Sequence, residues 1–147
     1  YRMSNICAGI GRGQMFVLDE HVARRREIHD LYVKLLNGVK GVKVMCQPEG
    51  GDFNSNYWLT CITVEPEEAG FTREDVRLAL DADNIESRPL WKPMHLQPVF
   101  KDAPFYGNGT SERLFEIGLC LPSGPTLTDE DVERVTKVVK QLSNFRF

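Results

Sequence analysis

From Asn5 to about Leu36 the chain carries no proline, and its apolar side chains recur at the spacing of an amphipathic helix. Leu18, Val22, Ile28, Leu31 or Tyr32, and Leu35 or Leu36 make one stripe, while Asp19, Glu20, Arg24, Arg25, Arg26 and Glu27 make the solvated side. Ser4 stands where an N-cap is needed, and Asn37-Gly38 where a helix stops. The opening turns break this pattern. Ile6, Cys7, Ala8 and Ile10 are interleaved with Gly9, Gly11 and Gly13, so the segment is apolar or small on nearly every side. A helix of that kind is expected to be surrounded by protein. Each glycine costs about 1 kcal/mol relative to alanine, a cost offset where another backbone must approach closely. The pattern therefore predicts a cover supplied by a missing domain or a partner subunit.

Downstream the period changes. Gly41 to Gln47 alternates like a strand, Tyr57 to Val64 is rich in aromatic and β-branched residues, and Pro48 to Asn56 joins them as a polar loop. Thr72-Arg73-Glu74-Asp75 is a variant capping box that opens a helix to about Ala82. Asn84 to Leu90 is expected to be a short strand interrupted by Pro89, and Pro93, Pro98 and Pro104 make the next stretch irregular. Ser111 to Leu119 predicts a short helix, Cys120-Leu121-Pro122 an extended piece, and Thr128 caps a closing helix to about Leu142. Two or three antiparallel strands with helices over them define an α+β sandwich. The expected division is a long linking helix over 1–37 and a small α+β domain over 38–147.

Composition narrows the function. With 147 residues, 41% apolar and 27% charged, the chain fits one ordinary domain with a core of its own. A net charge of −3, well mixed, gives no support to non-specific nucleic-acid or membrane-surface binding. No apolar run approaches the roughly 20 residues of a membrane-spanning helix, and no basic-then-apolar signal segment is present. Cys7, Cys46, Cys61 and Cys120 follow no metal or redox spacing and are expected to be free thiols in a reducing cytoplasm. Asn108-Gly109-Thr110 is read as a turn rather than a glycosylation acceptor.

Several motifs fall away on inspection. Gly9-Ile10-Gly11-Arg12-Gly13 is neither a Rossmann loop nor a P-loop, because Gln14 stands where a third glycine would and no strand precedes it. Ser123 lies in Leu-Pro-Ser-Gly-Pro, not in a nucleophile elbow. His21 and His29 are too far apart on their helix to share a metal and are expected at the surface. No catalytic residue and no metal ligand is assigned within the chain.

The densest chemistry is Ser87-Arg88-Pro89-Leu90-Trp91-Lys92-Pro93-Met94-His95-Leu96-Gln97-Pro98, where prolines hold two cations, an indole and an imidazole in an irregular segment. Arginine grips a phosphate or carboxylate with parallel hydrogen bonds, lysine adds a point charge, and Trp91 can cover a sugar or base face. Such a set suits an anionic, partly flat ligand. The same residues also allow Trp91 and Met94 to fill the core while Arg88 pairs with a nearby glutamate. Arg2 precedes the N-cap, where a helix N-terminus attracts anions, so it is either a phosphate contact or a frayed terminal side chain. His95 could serve acid–base chemistry with an acid from elsewhere.

Three motifs occur in order along most of the chain: Tyr1-Arg2-Met3-Ser4-Asn5-Ile6-Cys7-Ala8-Gly9-Ile10-Gly11-Arg12-Gly13-Gln14-Met15, Glu86-Ser87-Arg88-Pro89-Leu90-Trp91-Lys92-Pro93-Met94-His95-Leu96-Gln97-Pro98, and Gly118-Leu119-Cys120-Leu121-Pro122-Ser123-Gly124. With Leu18 and Arg24-Arg25-Arg26 they make the chain resemble the C-terminal part of sugar-nucleotide aminotransferases of the DegT/DnrJ/StrS type. The resemblance implies the fold of type I pyridoxal-phosphate enzymes, with this chain as the linking helix and small domain. It implies transfer of an amino group from glutamate to a keto-sugar carried on a nucleoside diphosphate, with pyridoxal 5'-phosphate as electron sink. The family's Schiff-base lysine lies upstream of the Tyr-Arg-Met-Ser motif, so this chain alone is expected to be inactive. Family members are homodimers that share sites across the interface. By this resemblance Tyr1 and Arg2 lie at the cofactor side, Arg88, Trp91, Lys92 and His95 line the substrate side, and Lys92 contacts ligand rather than forming the aldimine. The alternative is a stand-alone, non-catalytic α+β module that binds a nucleotide-sugar or dimerises.

Overall fold

The structure, a computed structural model, describes residues 2–144. Tyr1, expected at a cofactor site, lies outside the described residues. Ser4 caps the first helix as its side chain accepts from the Cys7 amide at 3.2 Å, and α1 runs Asn5–Met15. The expected single helix to Leu36 is broken at Phe16 and Val17, and α2 restarts at Leu18–Leu36. Phe16 and Val17 amides bond back to Gly13 and Gln14 carbonyls at 3.2 and 3.3 Å, the three-residue reach that tightens a helix end. No proline causes the break. Glycine lowers helix propensity in α1 and none of its residues is buried, so packing does not hold one axis through the junction.

α2 behaves differently because the later part of its stripe is buried, although Leu18 at its start is 45% exposed and Val22 only half-buried. Ile28, Tyr32 and Leu36 enter a core shared with Val76 and Leu80 of α4 (Arg73–Ala82) and Val132 and Val139 of α6 (Asp129–Asn144). These three helices cover one face of a four-stranded antiparallel sheet, one or two strands more than expected. Its order is β1 (Val42–Val44), β2 (Thr60–Val64), β4 (Gly118–Leu121), β3 (Arg88–Pro89). Thr60, Ile62 and Val64 of β2 and Leu119 and Leu121 of β4 point into the core. Burial of that apolar set is the main stabilising term. The strand expected over Asn84 to Leu90 shrinks to Arg88–Pro89, since Pro89 has no amide to donate to a ladder.

Local chemistry sets the remaining boundaries. Thr72 and Thr128 each begin a helix with a reciprocal bond to the aspartate three positions on. α3 (Pro66–Ala69) is a single turn stopped by left-handed Gly70. Gly41, at φ +72, lies so close to Ala69 that a Cβ would stand 2.3 Å from its amide nitrogen, so only glycine fits. The proline-rich stretch forms two 3-10 turns, Met94–Leu96 and Pro98–Phe100, before α5 (Thr110–Ile117) runs directly into β4.

Candidate functional site

A cleft of about 720 Å³ opens between the edge of the sheet, the start of α6 and the loop before β2. Arg88 and Trp91 line it from the β3 side, and Trp58, Ser87 and Cys120 complete the wall that matters for chemistry. Trp91 is 67% exposed, which removes the core-filling alternative for this side chain. Trp58 is 60% exposed, and the two indoles tilt toward each other with centroids 6.2 Å apart and planes at 33°. Two exposed tryptophans beside Arg88 form an apolar, flat-faced surface with a cationic fork, and Arg134, Glu86 and Asp131 supply the remaining charged groups of the lining. Arg88 spends that fork on Glu86, its Nε and Nη2 donating to Oε1 at 2.8 and 2.6 Å. Both groups are well exposed, so the pair is a weak one that an anionic ligand can displace.

Trp58 was not a sequence-based candidate because Tyr57 to Val64 reads as one strand, whereas β2 starts only at Thr60. Tyr57 sits at φ +43, and the Asn56 side chain accepts from the Trp58 amide at 3.0 Å, so a turn turns the indole outward. Arg25 fixes that turn from below by donating to the carbonyls of Trp58 and, at 3.0 Å, Ser123. Its neighbours act alike. Arg24 reaches the Leu127 carbonyl at 2.7 Å and Asp129 at 2.8 Å, and Arg26 the Ser55 carbonyl at 3.0 Å and Asn54 at 2.6 Å. The arginine triplet, expected on the solvated side of the helix, is instead a half-buried clamp that supplies charged donors to loop carbonyls.

Ser123 is buried and structural, as its place outside any nucleophile elbow implies. It accepts from the Thr60 amide at 2.7 Å and donates to the Leu121 carbonyl at 2.8 Å. His29, expected at the surface, is buried: its Nε2 donates to the Met45 carbonyl at 3.2 Å and its ring stacks on Tyr57 at 3.6 Å. Tyr57 covers one face of the imidazole, the Met45 carbonyl takes the Nε2 proton and Nδ1 lies 3.4 Å from Asp30 Oδ1, so both ring nitrogens have partners and burial costs little. His21 is exposed as expected.

The other candidates stand apart from the cleft. His95 lies 2.6 Å from Glu112 through Nε2 and stacks on Phe105 with centroids 3.5 Å apart. Lys92 is exposed and does not line the cleft, and Arg2 is exposed ahead of the Ser4 cap. The cleft thus brings Arg88 and Trp91 together and leaves Lys92, His95 and Arg2 outside it. Among the described residues no group of three or more His, Cys, Asp or Glu could hold a metal, and no helix is long and apolar enough to cross a membrane.

A second surface is open. Ile6 is 77% and Ile10 62% exposed, and a Cβ added at Gly9, Gly11 or Gly13 would meet nothing within 4 Å. The apolar, glycine-studded face has no cover within the described residues, as the sequence pattern anticipates for a chain standing alone.

A model of the DegT/DnrJ/EryC1/StrS aminotransferase family matches residues 1–140. Among curated proteins the chain is 43% identical over 146 residues to EpsN of Bacillus subtilis, covering 97% of this chain and 36% of that protein. It is 33% identical over 141 residues to GDP-perosamine synthase of Escherichia coli O157:H7, covering 96% of this chain and 36% of that enzyme. Among solved structures, DesI with its TDP-sugar product superposes with a TM-score of 0.87 at 25% identity, over 97% of this chain and 36% of that one. DesV of S. venezuelae, in complex with a ketimine intermediate, gives 0.85 at 26% identity, over 99% of this chain and 38% of that one. The chain therefore spans little more than a third of the length of the relatives it matches.

Proposed function

This chain belongs to the DegT/DnrJ/EryC1/StrS aminotransferase family, and we propose that it is the C-terminal part of a pyridoxal phosphate-dependent enzyme that aminates a nucleotide-linked keto-sugar with glutamate as donor. The observation that carries this proposal is a family match over 1–140 in a chain whose first helix buries none of its residues. A free-standing binding module would be expected to cover its own apolar helix. In the proposed arrangement residues 1–37 lead from a large domain into the small domain of 38–147, and two copies share each site across a dimer interface in the cytoplasm.

Pyridoxal phosphate supplies an electron sink for transamination when bound. The residues described here do not fit it by themselves. No lysine lines the cleft, and Arg2 stands on an open helix start with nothing enclosing it. The proposal leaves the cofactor and its lysine to the larger share of the protein, with Tyr1 and Arg2 at the border of that site. On the substrate side Arg88 exchanges Glu86 for a phosphate or carboxylate oxygen, and Trp91 with Trp58 covers a flat face of the ligand. Lys92 adds a nearby positive charge.

His95 supports a second role. Glu112 at 2.6 Å is the acid partner that acid–base chemistry at this histidine would need, and the Phe105 stack fixes the ring. One assay separates these roles: amination of nucleotide-linked keto-sugars by the full-length protein with glutamate and pyridoxal phosphate. Arg88→Ala is expected to raise KM about tenfold at preserved kcat, the loss of one charged hydrogen-bond pair. His95→Gln with raised KM alone assigns it to binding, and with collapsed kcat to chemistry. A full-length protein that aminates no such sugar would refute the proposal.

A further inference from the structure

Cys61 of β2 and Cys120 of β4 are direct register partners, and their Sγ atoms lie 3.7 Å apart as free thiols. Thr60, Ile62 and Leu121 point into the core, so both cysteines share the opposite face of the sheet, where Cys120 helps line the cleft. The Cys61 carbonyl accepts from the Met45 amide at 2.9 Å, so the peptide groups of Cys61 point toward β1 and away from β4. That makes Cys61 and Cys120 a non-hydrogen-bonded antiparallel pair, in which Cα atoms approach to about 4.5 Å. A disulfide spans such a separation without backbone movement, by rotation of the sulfurs alone.

The two thiols also share one hydrogen bond. When either loses its proton the other can donate to the thiolate, so the first ionisation of the pair falls below the ordinary thiol range and the second rises well above it. Cys7 and Cys46, by contrast, are exposed.

We propose that Cys61 and Cys120 form a redox site that closes to a cross-strand disulfide on reaction with a small hydroperoxide and reopens with a thiol reductant. Cys120 sulfur attacks the terminal oxygen of the hydroperoxide, the O–O bond breaks, and the alkoxide leaves with the Cys120 proton as an alcohol, or as water from hydrogen peroxide. Cys120 is then a sulfenic acid. Cys61 sulfur attacks it, the S–S bond forms, the S–O bond breaks, and the hydroxide departs with the Cys61 proton as water. Two thiols lose two electrons in all, and the hydroperoxide gains them. The bond ties the two central strands across a separation of 59 residues, which restricts the unfolded chain.

The test uses hydrogen peroxide on protein carrying Cys7→Ser and Cys46→Ser, both exposed positions, with wild type in parallel. The expected result is loss of both remaining thiols and a mass lower by about 2 Da, reversed by dithiothreitol. A non-reducing peptide map should join Cys61 to Cys120 in both proteins, and the oxidised form should unfold at higher urea concentration. In Cys61→Ser the same treatment should leave a dimedone-trappable sulfenic acid on Cys120. Persistence of both thiols at a peroxide dose that oxidises Cys46 of wild type would overturn the proposal, as would gain of oxygen at Cys120 with no crosslink. The readout is a bond rather than a turnover, so its outcome is independent of the aminotransferase proposal.

Discussion

Thr72 and Thr128 begin their helices by the same exchange of hydrogen bonds. The Asp75 amide donates to Thr72 Oγ1 at 3.1 Å, while Asp75 Oδ2 accepts from the Thr72 amide and hydroxyl at 2.7 Å each. Thr128 and Asp131 repeat it at 3.2, 2.9 and 3.0 Å. The bond from the threonine amide favours the ionised carboxylate and holds both aspartates below their usual range. A carboxyl whose folded value is depressed stabilises the fold above its unfolded value, near about 3.9, and that contribution is lost as pH falls through the folded value. Asp75→Asn should therefore lower the urea midpoint at neutral pH, and its gap from wild type should close as acid titrates the wild-type carboxylate. Thr72→Ala should cost about 1 kcal/mol, read by urea unfolding at pH 7. Arg25 works over a longer reach. Arg25→Ala removes a charged donor from two loop carbonyls, so we expect a loss of about 2 kcal/mol and a changed Trp58 fluorescence, with Arg25→Lys recovering only part.

At the scale of elements, whatever is written in neighbouring residues was legible and whatever depends on distant ones was not. Ile28, Tyr32 and Leu36 of the stripe, the Thr72–Asp75 capping box and the Thr128 cap each lie within a few positions of one another, and the structure holds them as the sequence implies, with Asp131 completing a reciprocal box at Thr128. The prolines around Arg88 and Trp91 point to an irregular segment, as the two 3-10 turns bear out, but its exposure is not written locally: the same residues allow Trp91 and Met94 to fill the core, and the structure leaves both exposed. Hidden from local pattern were the arginine clamp, whose partners lie 28 to 105 residues away, and the burial of His29 beneath Tyr57. The break at Phe16 was hidden for another reason: it comes from missing burial, not from a breaker residue. This last point is testable in α1. Gly9→Ala places its methyl in open space, so in the isolated chain it should raise helix content by circular dichroism and stabilise α1 by about 1 kcal/mol. Under the proposed arrangement the same methyl should impair assembly of the full-length protein, where another backbone would close in on the glycines.

Across the whole molecule the folded core and the exposed helix are energetically separate. The sheet, α2, α4 and α6 bury a continuous apolar set, while Ile6 and Ile10 contribute nothing to it. Charges introduced at Ile6 and Ile10 therefore meet water in one context and protein in the other. In the isolated chain Ile6→Asp with Ile10→Asp should shift the urea midpoint by no more than about 0.5 kcal/mol equivalent, since exposed substitutions rarely do more. It should also reduce dye binding and self-association driven by the open face. In the full-length protein each aspartate would be buried against a large domain or a partner, where an unpaired carboxylate costs several kcal/mol or shifts its protonation. Under the proposed dimeric aminotransferase, size-exclusion chromatography with light scattering should then show a lost or weakened dimer together with lost amination. Equal tolerance of both substitutions in the two contexts would mean that α1 stays open in the complete enzyme, and the glycines at 9, 11 and 13 would need another cause.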